Sequence, residues 1–120
     1  MDKALLMSYG IDIDRGLKNC MDDLSFYKKI LSMFQQDPCF SLAQAAHANG
    51  DQKELFRRMH ELKGISGNAA LYALDNATVP LVELLRSGAE GRADVDRLFD
   101  VASAAYSRAC EGIALVIAEP

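Results

Sequence analysis

The chain has 120 residues, the size of one domain, so residues 1–120 are read as a single unit with no room for a second. Half of the residues are apolar, a quarter are charged, and the formal net charge is −4, which fits a soluble globular composition and excludes the strongly basic surface of a non-specific nucleic-acid binder. The longest apolar run, Gly112 to Ala118, falls far short of the ~20 residues of a membrane span, so no membrane association is expected.

Hydrophobic periodicity is helical almost throughout, with no sustained strand-like alternation. A short amphipathic start, Lys3 to Ser8, leads to Gly10-Ile11-Asp12-Ile13-Asp14, where either aspartate can cap a brief helix over Arg15 to Asn19. After Met21-Asp22-Asp23 a longer helix carries an apolar stripe of Leu24, Tyr27, Ile30 or Leu31, and Phe34. Asp37-Pro38 ends it, because proline lacks an amide hydrogen and restricts the residue before it. The next helix spans Cys39 to Ala48 and stops at Asn49-Gly50. Asp51 caps a helix running to about Leu71, followed by one over Tyr72 to Arg86 that closes at Ser87-Gly88. Pro80 lies inside that helix and should kink or split it. A last helix, about Ala93 to Val116, presents Val95, Leu98, Phe99, Ala102, Tyr106 and Ile113. The expected fold class is therefore all-α: an up-down antiparallel four-helix bundle with short N-terminal capping helices.

The segment Asp51 to Leu71 departs from ordinary helix design. At ~100° per residue its core stripe is Leu55, Met59, Leu62, Ser66 and Ala69, and His60 points about 135–140° away from it. Phe34, Leu81 and Phe99 are the expected core contributors from other helices. The face of His60 holds Lys53, Phe56, Arg57, Lys63, Gly64 and Gly67, all within ~60° of it. A glycine inside a helix costs ~1 kcal/mol relative to alanine, and here two lie one and two turns beyond an exposed histidine. The missing side chains benefit either a partner that must approach the imidazole or a neighbouring helix of the same chain. Placement opposite the core stripe favours the partner. Lys53, Arg57 and Lys63 form a basic collar in a chain that is acidic overall, suited to a phosphoryl group or an acidic partner pocket.

The string His60-Glu61-Leu62-Lys63-Gly64-Ile65-Ser66-Gly67-Asn68 resembles the H-x-L-K-G signature of histidine-containing phosphotransfer (HPt) domains, with its following small residues and Asn. Gly10-Ile11-Asp12 with Gly16-Leu17 resembles the opening of many such domains, and Phe26 to Phe34 and Leu42 to Asp51 resemble their next two helices. The match covers roughly residues 10 to 85; the final helix is similar only in being amphipathic. The resemblance implies that His60 is phosphorylated, that Lys63 supports the phosphoryl group, and that Gly64 opens the approach for a receiver domain; Gly67, on the same face, is expected to do so too. Lys53, Phe56 and Arg57, by their place on the His60 face, and Arg86 on the next helix, by the resemblance, are candidate partner contacts. The resemblance also implies a monomeric phosphoryl carrier in a two-component phosphorelay, working with response-regulator receiver domains and a sensor or hybrid histidine kinase. Such a carrier needs no cofactor or metal of its own; Mg²⁺ belongs to the receiver. An imidazole titrating near pH ~6.5 is largely neutral at pH 7 and offers a lone pair, with Nε2 the expected nucleophile. No glycine-rich nucleotide loop is present in the sequence, so an autonomous kinase is not expected.

Two positions depart from the family pattern: Ala70 stands where a glycine is common, and Glu61 where a small hydroxyl or basic residue is common. An alternative function is a docking or sequestering module that keeps the bundle without phosphotransfer. A metal or haem bundle using His47 and His60 is disfavoured, because the two lie on different helices and no Glu-x-x-His pairs accompany them. His47 is expected to be exposed and inert. Cys20, Cys39 and Cys110 are odd in number and form no CxxC pair, as in a cytoplasmic protein with reduced thiols. The Met1-Asp2-Lys3 start has no apolar stretch of a secretory leader. The sequence leaves open a stand-alone protein or a domain of a larger hybrid kinase.

Overall fold

The computed structural model describes residues 1–88 and 91–120, and every described element is a helix. In chain order these are α1 (Lys3–Ser8), α2 (Ile13–Asn19), α3 (Leu24–Gln36), α4 (Cys39–Ala48), α5 (Gln52–Asn68), α6 (Tyr72–Ser87) and α7 (Arg92–Ile117). Aspartates start α1, α2, α3 and α5: the carboxylates of Asp2, Asp12, Asp23 and Asp51 accept from the amides of Leu5, Arg15, Phe26 and Glu54. Each satisfies an amide that has no partner within its helix. Of the two aspartates that could cap α2, Asp12 does so, and the helix begins two residues earlier than its polar pattern suggests.

Side-chain contacts trace an antiparallel assembly. The Cys39 thiol on α4 donates to the carbonyl of Arg58 on α5 at 3.1 Å. On α6, Asp75 faces Gly67 and Arg86 faces Phe56, so α5 and α6 run in opposite directions. Along α7, Phe34 of α3 packs on Tyr106 at 5.8 Å between ring centroids, Phe40 of α4 on Tyr106 at 3.9 Å, and His47 on Phe99 at 4.3 Å. Helices α3 and α4 therefore follow one another along α7, broken at Asp37-Pro38. The α5 stripe Leu55, Met59, Leu62, Ser66 and Ala69 is buried, and so are Phe34, Leu81 and Phe99. Ser66, a polar residue in this core, donates its hydroxyl to the Leu62 carbonyl at 2.7 Å.

Helix α5 stops at Asn68 rather than near Leu71. The Leu71 amide donates to the Ser66 carbonyl and the Ala70 amide to the Gly67 carbonyl, the paired bonds of a Schellman stop. Ala70 occupies its left-handed position at φ +59°, where glycine is usual because a Cβ is crowded there. The N-terminal segment clamps this turn from outside. The Tyr27 hydroxyl donates to the Ala69 carbonyl at 2.7 Å, and the Asp12 amide donates to the Ala70 carbonyl at 3.0 Å. Two glycines of the opening make the clamp possible. A Cβ at Gly16 would lie 2.2 Å from the Tyr27 ring; one at Gly10, itself at φ +82°, would lie 2.4 Å from Ala73. Helix α6 continues through Pro80 without splitting. Both Pro80 and Asn76, whose carbonyl loses its donor, are exposed, so water can satisfy the carbonyl.

Candidate functional site

His60 is exposed on α5, on the side away from the buried stripe. Helical side chains lean toward the N-terminus, and its imidazole accordingly lies beside Phe56, with ring centroids 6.0 Å apart and planes inclined by 30°. An open groove of about 610 Å³ is lined by Asp51, Lys53, Glu54, Phe56, Arg57 and His60. On the other side of Phe56 a second groove reaches Leu85, Arg86 and Gly88. The Arg86 guanidinium stands over the Phe56 ring at 5.7 Å from its centroid, so Arg86 is brought to the site by α6 as the sequence suggested.

The basic collar is more selective than the sequence implied. Arg57 is ion-paired to Glu54, which also holds Arg58 at 2.6 Å, while Arg86 pairs with Glu83 at 2.8 Å. Hydrogen bonds from Arg58 and Arg57 keep the Glu54 carboxyl below its ordinary range. Lys53 is exposed and Lys63 half-buried, and neither has an ion-pair partner among the described residues. Among the described residues, the two lysines are therefore the cations left without an ion pair on the face of His60. The pairing glutamates were the overlooked members of the site. Their signal is a carboxylate three residues before Arg57 and Arg86 and four before Arg58, spacings that place each pair on one helix face. Glu61 is turned toward Arg58, its carboxylate 3.3 Å from the guanidinium.

The glycines also separate. Gly64 is exposed, and a Cβ there would meet nothing within 4 Å. Gly67 is half-buried, and its Cβ would lie 3.3 Å from the Asp75 carboxylate of α6. The expectation that both glycines open the approach is thus corrected for Gly67, whose missing side chain accommodates a neighbouring helix. His47 also departs from expectation. It is half-buried, with Nε2 2.6 Å from the Asp96 carboxylate and its ring on Phe99, joining α4 to α7.

Asp37, Cys39 and Glu61 bring three potential metal-ligand atoms within 4.8 Å of one another. The Cys39 thiol, however, donates to the Arg58 carbonyl, Asp37 accepts from the Cys39 amide at 2.8 Å, and Arg58 engages Glu61. Burial first, then the nearby carboxylates, pushes that thiol up to about 12, so in this arrangement it is a neutral hydrogen-bond donor. No helix among the described residues is long and apolar enough to cross a membrane.

No curated protein and no solved structure matches the chain closely enough to inform it. The family model for the Hpt domain matches residues 29–112, from the middle of α3 deep into α7. The match includes the whole His60 face and most of the final helix, while the Gly10 to Leu17 opening lies outside it. Domains of this family are phosphotransfer modules of two-component signalling and work with receiver domains and kinases. With an exposed histidine beside an open glycine, in a helical chain that the family model matches over most of its length, this chain belongs to the Hpt domain family.

Proposed function

We propose that this domain is a phosphorelay intermediate that accepts and donates a phosphoryl group at His60. The observation that carries this reading is the open space at Gly64 beside an exposed imidazole. A side chain at position 64 would lean back over the turn containing His60, and its absence lets a broad protein surface reach the ring. The Nε2 lone pair attacks the phosphorus of a receiver's phosphoaspartate. The N–P bond forms as the P–O bond breaks, the bonding pair returns to the aspartate carboxylate, and the Nδ1 proton becomes free to leave to water. Transfer in the other direction reverses these steps. Such reactions depend on in-line positioning and on stabilising charge at the phosphoryl oxygens; Lys63 and Lys53 supply cations from this chain, and the receiver supplies Mg²⁺ and its acidic pocket.

The same reading takes the chain as one monomeric domain acting in the cytoplasm, built as a four-helix up-down bundle. The antiparallel contacts along α4, α5, α6 and α7 support that architecture. A docking module without phosphotransfer could use the lysines against an acidic partner, but it has no need of the open approach to the imidazole that Gly64 leaves. Incubation with phosphorylated receiver domains, following the label onto this chain, tests the proposal. Label on His60 is expected, and binding without transfer would favour the docking module.

A further inference from the structure

We infer that Phe56 is a positioning residue for His60, held in place by Arg86. The inference rests on the reading of His60 as the phosphoryl acceptor. An exposed histidine has three χ1 wells and a broad two-fold χ2, about six orientations in all. Only some of them present Nε2 outward for in-line attack. Phe56, one turn earlier, lies where the histidine side chain leans, and the inclined ring contact at 6.0 Å limits the imidazole's freedom. Phe56 is itself half-buried and packs against the core. Its outer side meets Arg86, 5.7 Å from the centroid, a cation–π contact that favours one ring placement. Glu83 fixes that guanidinium at 2.8 Å. The chain Glu83–Arg86–Phe56–His60 thus links the surface of α6 to the imidazole on α5. Phe56 is also the common wall of the two grooves beside the site, so its ring bounds the space around His60.

A positioning role differs from a docking role in which phosphoryl donors feel it. Selecting one of about six orientations is worth up to about sixfold in rate, and the gain applies to every donor. The test compares phosphoramidate, a small donor with no protein surface, with a phosphorylated receiver domain on the full chain. Phe56→Leu is expected to slow both by about three- to sixfold, and Phe56→Tyr to restore both. Arg86→Ala should give a smaller loss in the same direction, with Arg86→Lys intermediate. The ring-current displacement of the His60 Hδ2 and Hε1 resonances should collapse in Phe56→Leu and persist in Phe56→Tyr. If Phe56→Leu lowers helicity, Phe56→Met keeps unbranched apolar bulk and is read the same way. Wild-type rates with phosphoramidate in the leucine and methionine variants would overturn the assignment, and so would a loss confined to the receiver. A wild-type protein that takes phosphate from neither donor would instead overturn the phosphotransfer reading itself.

Discussion

A Cβ placed on Gly67 would stand 3.3 Å from the Asp75 carboxylate oxygen, whereas one placed on Gly64, a turn earlier, would meet nothing within 4 Å. Two glycines of one helix thus serve different ends, and substitutions should separate them. Gly64→Ala should raise stability by up to about 1 kcal/mol, because alanine is the better helix former. Gly67→Ala should gain less, since Asp75 must shift. Gly64→Gln should leave the bundle folded and slow transfer from a receiver, with much less effect on phosphoramidate. Gly67→Gln should lower the melting temperature and depress both transfers together. A destabilised Gly64→Gln protein with equal losses toward both donors would contradict the open-approach explanation.

Ala70 in the left-handed region is a strained stop for α5. Ala70→Gly should stabilise the protein by about 0.5–1 kcal/mol, because glycine occupies that conformation without Cβ crowding. Denaturant unfolding of the two proteins checks this. A loss of stability would mean that the clamp from Tyr27 and Asp12 tolerates the alanine without strain.

The core stripe of α5 fixes the phase on which the exposure of His60 depends. Leu62 is 1% exposed, and Leu62→Ala should cost about 2–5 kcal/mol as a large-to-small change in a packed interior. A loss below about 0.5 kcal/mol would contradict the burial of this face.

Glu54 gives the site a pH signature. Its folded carboxyl is held below the ordinary value of 4.5, first by the hydrogen bond from Arg58 and then by that from Arg57. A group depressed on folding contributes stability that is present above its unfolded pKa and lost as pH falls through the lower folded value. Glu54→Gln should therefore flatten the acid-side fall in stability and leave the neutral plateau without that contribution. Unfolding free energies measured from neutral pH down through the carboxylate range read this directly. An unchanged acid slope would argue against the Arg57–Glu54–Arg58 arrangement.

The sequence made the core face of α5 legible because a seventeen-residue helix repeats its apolar spacing often enough to set the phase. Leu55, Met59, Leu62, Ser66 and Ala69 are buried accordingly, and His60 is exposed. Periodicity carries no information about which cations are already engaged. Arg57 and Lys63 look alike in a helical projection, yet one is paired with Glu54 and the other has no ion-pair partner among the described residues. Nor could spacing along α5 distinguish Gly64 from Gly67, because the difference is made by Asp75 on another helix. His47 was misjudged for the same reason: Asp96 and Phe99, which engage it, lie about fifty residues away in the chain. The end of α5 was misplaced because Ala70 turns the chain in a conformation that alanine rarely adopts.

The central claim is tested most directly by following labelled phosphate from a phosphorylated receiver domain onto the wild-type chain, His60→Gln and His47→Gln. The wild type should acquire an acid-labile, base-stable label, as a phosphoramidate bond requires. His47→Gln should keep it, at a stability lowered by about 1 kcal/mol for the lost contact with Asp96. His60→Gln should retain its helicity and take no label. Undiminished labelling of the His60→Gln protein would contradict the account.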